Sequence, residues 1–410
     1  MSQSDEFTSV TTDRTPGAGV AGFGARVVNR LLSGIRYGSI RVVLPSGRTI
    51  EMAGPEKGPD AVIVIKRWRM LSRVLHAGDI GFAEGYLKQE WTTPDLTNVI
   101  RFAARNRHGL TLATHGGYLG RIAVRLSHLL NANTKRGSKR NIEAHYDLGN
   151  EFYAEWLDPS MFYSSALYEH QGQSLEDAQR QKLERIREKL AMSQGDSVLE
   201  IGCGWGALAL DLAQNVNARV SGLTLSPSQL AFANERIRQA GVEGQIDLRL
   251  QDYRDTSGQF DRIVSIEMFE AVGEAYWPAY FDTIRRCLKP GGRAVLQVIS
   301  INEDRFDSYR RNPDFIQKYV FPGGFLPSDS AFTAAVEKSG LVVSDIEHFG
   351  ASYARTLAEW RTRFHAAWPK IAELGFDSRF RRLWDYYLCY CEAGFEEEAI
   401  NVGFYTIEHA

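Results

Sequence analysis

Cysteine is scarce in this chain. Cys203, Cys287, Cys389 and Cys391 are the only four in 410 residues, and none has the paired spacing of a structural zinc site. So few thiols do not make a disulfide framework, which points to a reduced, cytoplasmic setting. Cys389 and Cys391 stand two apart in an aromatic stretch and read as core packing. Long apolar runs are also missing. None reaches ~18 residues, so no membrane-spanning helix is expected. The opening residues MSQSDEFTSVTTDRTPGAG lack the apolar centre of a secretory signal and read as a disordered leader over 1–24. A net charge of −2 excludes a whole-molecule polyanion binder.

One absence is local. Residues 101–140 contain no Asp or Glu, yet hold Arg101, Arg105, Arg107, Arg121, Arg125, Lys135, Arg136, Lys139 and Arg140. Leu110, Leu112, Leu119, Ile122, Leu126 and Leu129 are interleaved with them. A basic segment with apolar residues at helical spacing suits an anionic membrane surface, where each cation is worth ~1 kcal/mol. A solvated linker fits the same composition. With only Phe102 and Tyr118 as aromatic residues and no nucleic-acid motif, the segment gives no reason to expect a nucleic-acid partner.

What is present is an ordinary globular composition, 44% hydrophobic and 24% charged, long enough for two domains. A helical pattern over ARVVNRLLSGIRY precedes a hairpin, SIRVVLPSGRTIEM, that turns at Pro45-Ser46-Gly47. AVIVIKRWRML reads as a further strand, and residues 71–106 as helical and irregular. Together they predict a small α+β domain over 25–105, then a basic segment over 106–140. From 141 to 410 the pattern changes. DSVLEIG, ARVSGLTL, QIDLRLQD, FDRIVSIEMF and GRAVLQVISI are β-rich, and ALALDLAQN, PSQLAFANERIRQA and YWPAYFDTIRRCLK separate them. That alternation predicts βαβ units on a mostly parallel sheet.

The densest local signal is Val198-Leu199-Glu200-Ile201-Gly202-Cys203-Gly204-Trp205-Gly206. A strand enters a glycine-rich turn and leaves it in a helix, as in nucleotide-binding loops. Gly202, Gly204 and Gly206 make GxGxG and not the GxGxxG of a pyrophosphate loop. Glu200 stands two before the first glycine, where an acid orients a nucleoside-side group. The second strand ends in Thr224, Ser226 and Gln229, where a dinucleotide site wants an acid on the ribose. Gln251 and Asp252 end the next strand, and Asp252 is placed to accept from an adenine amino group. These features favour S-adenosylmethionine over NAD.

With GLTLSPSQ and QDYRD added, the sequence resembles the cyclopropane-fatty-acyl-phospholipid synthases and the related mycolic acid cyclopropane synthases. Further stretches fall in that family's order: His145-Tyr146-Asp147-Leu148-Gly149-Asn150, Met161-Phe162-Tyr163-Ser164-Ser165, Glu267-Met268-Phe269-Glu270-Ala271-Val272-Gly273, Tyr319-Val320-Phe321-Pro322-Gly323-Gly324 and Tyr353-Ala354-Arg355-Thr356-Leu357-Ala358-Glu359-Trp360. The resemblance implies a Rossmann-like class I S-adenosylmethionine-dependent methyltransferase domain behind the small α+β domain. It also implies one-carbon transfer to the double bond of an unsaturated phospholipid acyl chain, giving a cyclopropane. The enzyme would be peripheral at the inner face of a membrane; a homodimer is left open. Tyr163 and Ser164 join the cofactor set.

In the family a bound bicarbonate serves as base, held by a Cys, a Glu, a His, a Tyr and an Ile backbone group. The Glu, Tyr and Ile fall on Glu270, Tyr353 and Ile299; the Cys and His fall on Ser165 and Gln297. Ser and Gln hydrogen-bond an anion but supply neither thiol nor imidazole. Either the anion site persists with altered ligands or the proton leaves by another route. The second case gives a methyl- or methylene-branched chain and calls for a redox partner enzyme. His145 positions the acyl or cofactor end, or caps a turn. Without the resemblance, Glu270 beside Glu267 reads as a solvated helix-face acid and Tyr353 as a packed aromatic.

Overall fold

The computed structural model describes residues 18–113 and 148–410. His145 and the basic stretch from 114 to 140 lie outside the described residues. The chain divides into two compact units, Met1–Tyr118 and Leu119–Ala410.

The first unit runs α1 (Ala18–Leu32), β1 (Tyr37–Val43), β2 (Thr49–Ala53), β3 (Glu56–Ile65), α2 (Arg69–Leu87), β4 (Trp91–Thr92), α3 (Leu96–Arg105) and α4 (Arg107–Ala113). Its sheet has the order β2-β1-β3-β4. The hairpin forms as the sequence suggests, with Val43 opposite Thr49. Residues 18–24, expected in the leader, instead begin α1, which reaches 15 residues in place of the short helix from Ala25, and a helix below ~12 residues is marginal by itself. β3 stops at Ile65, and Lys66 and Arg67 donate their N–H groups to the Glu90 carbonyl at 2.8 and 2.9 Å. Buried Asn106 accepts from Arg36 N–H at 2.7 Å and Tyr37 N–H at 3.0 Å, and so ties the end of α3 to the entry of β1.

The second unit holds α5 (Asn150–Ala154), α6 (Leu175–Leu190), β5 (Ser197–Ile201), α7 (Ala207–Val216), β6 (Arg219–Thr224), α8 (Pro227–Ala240), β7 (Ile246–Leu250), β8 (Phe260–Ile266), α9 (Trp277–Cys287) and β9 (Leu288–Ile301). It continues through α10 (Glu303–Arg311), α11 (Phe315–Tyr319), α12 (Asp329–Lys338), β10 (Leu341–His348), α13 (Gly350–Glu373), α14 (Ser378–Glu396) and β11 (Ile400–His409). The seven strands lie in the order β10-β11-β9-β8-β5-β6-β7. β5 to β9 are mutually parallel, and β11 enters antiparallel between β9 and β10. The order reverses at β5, where the next strand in sequence lies on one side and β8 on the other. Open sheets of this kind bind ligands at the carboxyl ends of the strands beside such a switch point.

The sequence reading found β5 to β9 and missed β10 and β11. β11 is buried without a break from Val402 to Ile407, a two-faced strand whose run is disguised by Gly403 and Thr406. The helices follow local rules. Ser226 caps α8 by accepting from Gln229 N–H, and Pro227 occupies the first turn, where its missing N–H costs nothing. Asp314 and Gln317 form a reciprocal capping box on α11.

Two aromatic clusters fix the site's surroundings. Phe269, Phe281 and Phe332 meet with rings 5.1–5.4 Å apart in the core beneath β8 and β9. Elsewhere Phe152 packs on Phe376, Phe380 and Trp384, and Trp156 on Trp360, which anchors residues 152–156 to α13 and α14. Each such pair contributes ~0.5–1.5 kcal/mol beyond area burial.

Candidate active site

At the carboxyl end of β5 the chain turns through Gly202 (φ +88°) and Gly206 (φ +80°). Both conformations are left-handed and favour glycine. A Cβ on Gly202 would stand 2.9 Å from Met268 Cγ, so the turn is also packed too closely for a side chain. A Cβ on Gly204 would meet nothing within 4 Å, so open space faces the middle of the loop. Gly202 and Cys203 donate N–H to the Leu223 carbonyl at 2.9 and 2.8 Å, which locks the turn onto β6. Trp205 Nε1 donates to Asn150 Oδ1 at 2.8 Å and joins the loop to α5.

Glu200 points into this region from β5. Its residue is buried and its Oε2 has no hydrogen-bond partner. Burial alone pushes its carboxyl up to about 8. A buried, unpartnered acceptor beside an open glycine turn fits a ligand that brings hydroxyl or cationic donors, as S-adenosylmethionine does.

The other expected cofactor residues are nearby in sequence position but largely occupied. Thr224, Ser226 and Gln229 are buried, and their polar groups bond one another and the start of α8. Asp252 caps the turn Tyr253–Asp255, and its carboxylate takes both Nε and Nη2 of Arg254, at 2.8 and 2.6 Å. That bidentate pair engages both oxygens, and a carboxylate oxygen has a second lone pair with which to accept from an adenine amino group. Gln251 donates its backbone N–H to the Thr224 carbonyl at 3.1 Å. Tyr163 bonds hydroxyl to hydroxyl with Tyr387 at 2.9 Å, and Ser164 Oγ accepts from Lys182 Nζ at 2.8 Å.

The expected anion site lies at the ends of β8 and β9, and there the structure departs from the sequence reading. Tyr353, Gln297 and Ser165 do converge, but on the carboxylate of Glu267. Oε1 accepts from Ser165 N–H at 2.8 Å and Gln297 Nε2 at 2.7 Å; Oε2 accepts from Tyr353 OH at 2.6 Å. The Ser165 hydroxyl, expected to stand in for a thiol, turns away and donates to the Ala166 carbonyl at 2.9 Å. Glu267 has φ +48°, a left-handed conformation that costs a non-glycine residue of order 1–3 kcal/mol and needs its surroundings to hold it. Burial pushes its carboxyl up, and Tyr353, the Ser165 N–H, the charge of Lys182 and Gln297 pull it back.

Glu270 sits in the short turn Phe269–Ala271 and is not a solvated helix-face acid. Its Oε1 accepts from Ile299 N–H at 2.6 Å, so two groups that the resemblance assigns to a bound anion bond each other, and its Oε2 is buried without a partner. Burial, then the neighbouring charge of Glu267, pushes it up to about 8 against that single N–H. At Glu267 three donors and the charge of Lys182 oppose the effect of burial, whereas at Glu270 a single N–H from another residue does, so of the two acids Glu270 is the better place for a shared proton.

These contacts bear on bicarbonate. The donors meant to hold it are spent on Glu267, so the residues present do not fit a second anion there. Sequence reasoning passed over Glu267 because it treated the acid only as a neighbour of Glu270. The available signal was its place one residue past the end of β8. Lys182 and Tyr387 gave no signal; both sit in helices whose flanking residues read as ordinary.

A family model described as mycolic acid cyclopropane synthetase matches residues 133–404. The tuberculostearic acid methyltransferase UfaA1 of Mycobacterium tuberculosis is 34% identical over 98% of this chain and 95% of its own. The cyclopropane-fatty-acyl-phospholipid synthase of Escherichia coli is 38% identical over 83% of this chain and 86% of its own. Among solved structures, mycolic acid cyclopropane synthase CmaA1 complexed with SAH and CTAB superposes with a TM-score of 0.62 at 28% identity, over 66% of this chain and 97% of that one.

Proposed function

The chain belongs to the mycolic acid cyclopropane synthetase family and is an S-adenosylmethionine-dependent methyltransferase of Rossmann-like class I fold, and on that premise we propose that it methylates the double bond of an unsaturated phospholipid acyl chain, with its own Glu267 as the base. The observation that carries this is the convergence of Ser165 N–H, Gln297 and Tyr353 on the Glu267 carboxylate.

S-adenosylmethionine supplies an electrophilic methyl group, which the alkene electron pair takes, leaving a carbocation on the acyl chain. Glu267 places negative charge where that cation forms, held by fixed donors that need no rearrangement. Oε1 already accepts two hydrogen bonds and Oε2 one, so Oε2 keeps a site for the departing proton. Glu270, protonated at neutral pH, adds no second charge beside it. Packed aromatic side chains, Trp156 and Trp360 among them, keep water from the cation.

Two endings share these steps, and both remove a proton from the transferred methyl group. In ring closure, that C–H electron pair bonds directly to the cationic carbon. In branching, a hydride first moves from the methylated carbon to the cation, and the C–H pair then makes a methylene double bond. A saturated branch requires a separate hydride donor enzyme. A carboxylate bound by three donors is a weakened base, and slow proton removal gives the hydride time to move. This favours the branched ending, as does the likeness to a tuberculostearic acid methyltransferase over 98% of the chain. The cyclopropane ending, put first by the sequence reading, stands second on the likeness to the Escherichia coli synthase. Contact with the inner face of a membrane accompanies such a substrate, and the cations between 101 and 140 suit it.

Proton NMR and mass spectrometry of the acyl chains formed from protein, S-adenosylmethionine and monounsaturated phospholipid test the reading. A gain of one carbon with vinylidene protons is expected. High-field ring protons would move the product to cyclopropane, and no gain at all would overturn acyl methylation.

A further inference from the structure

Lys182 lies on α6 with no exposed surface. Lysine is almost never fully buried unless something compensates its charge. Nζ donates to Ser164 Oγ at 2.8 Å and stands 3.9 Å from the centre of the Phe162 ring, a cation–π contact. Gln179, one turn earlier, donates to the Ser164 carbonyl at 3.2 Å, so α6 grips residue 164 at two points. The next residue, Ser165, gives its N–H to Glu267. The ammonium is thereby built into the wall behind the Glu267 carboxylate.

Charged groups reach this point from several elements. Asp158 faces Lys182 from the segment after α5, but it also accepts from Ser160 and interacts with Arg236 of α8, which itself bonds the Ser160 carbonyl. From the end of β8 come Glu267 and, behind it, Glu270. From α13 comes the Tyr353 hydroxyl, bonded to Glu267. Asp158 has Arg236 as a second cation. Among the described residues, Lys182 is a cation whose charge pulls the Glu267 carboxyl down.

We propose that Lys182 is a positioning residue for proton removal: an internal counter-charge, anchored on Ser164 and Phe162, that keeps Glu267 ionised. It touches neither substrate nor the reacting atoms and acts through Glu267, so the inference rests on the reading of Glu267 as base. Burial pulls Lys182 down to about 7 while Glu267 and Asp158 oppose the fall, which is how two mutually dependent charges behave in a dry site.

The test is the pH dependence of turnover in Lys182→Met and Lys182→Arg beside wild type. The Lys182 ammonium, charged below about 7, favours the carboxylate across the acid limb, so its removal raises the pKa of Glu267. The acid limb of turnover in Lys182→Met is expected to move up by about one pH unit or more, with about a tenfold loss at neutral pH recovered in alkali. In Lys182→Arg the limb stays near that of wild type even if turnover falls. A uniform loss with no shift of the limb would reduce Lys182 to a packing residue. Thermal melts of Lys182→Met, Glu267→Gln and the double variant give a second readout that survives a poorly folding single variant. The double variant is expected to be more stable than the two single losses sum to; additive losses would overturn the pairing. If Glu267→Gln keeps full turnover, the base assignment fails. If Glu267→Gln is inactive and the limb of Lys182→Met does not move, only the inference about Lys182 fails.

Discussion

Strand ends along one edge of the sheet face the same reaction and are prepared in opposite ways. At the end of β5 the protein leaves polar capacity unspent: Glu200 Oε2 is buried without a partner and the turn at Gly204 opens onto space. At the ends of β8 and β9 the donors are spent, because Ser165 N–H, Gln297 Nε2 and Tyr353 already hold Glu267 and Ile299 N–H holds Glu270, whose Oε2 stays without a partner. An unsatisfied buried group marks where a ligand completes the structure. A satisfied cluster with a strained residue at its centre marks where the protein has supplied the ligand itself. The first end is built to exchange its occupant at every turnover, and the second to keep it.

The sharpest way to break this comparison is Glu267→Gln. The amide keeps the shape and loses the proton acceptor, so acyl methylation is expected to fall by about 10²–10⁴-fold, as for loss of a general base. S-adenosylmethionine affinity measured by calorimetry should stay unchanged. Comparable losses in both would merge the two ends into one site.

Next in size is Glu267→Gly. It relieves the positive φ and vacates the place of the carboxylate, so the three donors become free to hold a small anion. Activity in the variant should be low and should rise about tenfold with added bicarbonate or formate, a rescue absent in wild type. Failure of both anions would mean that the backbone collapses into the space.

Glu200 offers a smaller effect with a definite sign. Its carboxyl is held near 8 by burial, so below that pH it is mostly protonated in the free protein. A cationic cofactor binds the ionised form better, and affinity should therefore rise as pH climbs through about 8, by up to about tenfold. Calorimetric titration at pH 6.5 and pH 9 checks this, and Glu200→Gln should remove the dependence. A flat profile in wild type would separate Glu200 from the cofactor.

The smallest expected effect is at Ser226. Its hydroxyl accepts from Gln229 N–H at the start of α8, so Ser226→Ala should cost ~1 kcal/mol of stability in denaturant unfolding, as a lost helix cap does. The KM for S-adenosylmethionine should hold. A large rise in KM with no loss of stability would return Ser226 to the cofactor site.

The parallel strands and the glycine turn were legible because they depend on neighbours in sequence. Val198 to Gly206 carries its strand and its positive-φ turn within nine residues and runs directly into the helix at Ala207. The Ser226–Pro227 cap is equally local. β11 escaped notice because its place in the sheet comes from pairing with β9 and β10 on either side, which no pattern within Ile400–His409 announces. The site divided along the same line. Glu270, Ile299 and Tyr353 could be picked out by order along the chain, and the bond from Ile299 N–H to Glu270 is present. What Tyr353 bonds to could not be read, since its partner lies 86 positions away.

By itself, then, the sequence determined the α/β class, the turn that opens the sheet to a nucleoside-bearing ligand, and the set of polar residues available for proton chemistry. Only the tertiary structure decided which carboxylate those residues serve. That choice depends on the distances among β8, β9, α13 and the segment before α6, which give Glu267 three donors against the effect of burial and Glu270 a single N–H from Ile299. A hydrogen bond acts over about 3 Å in space and is indifferent to separation along the chain; Glu267 lay three residues from the expected acid.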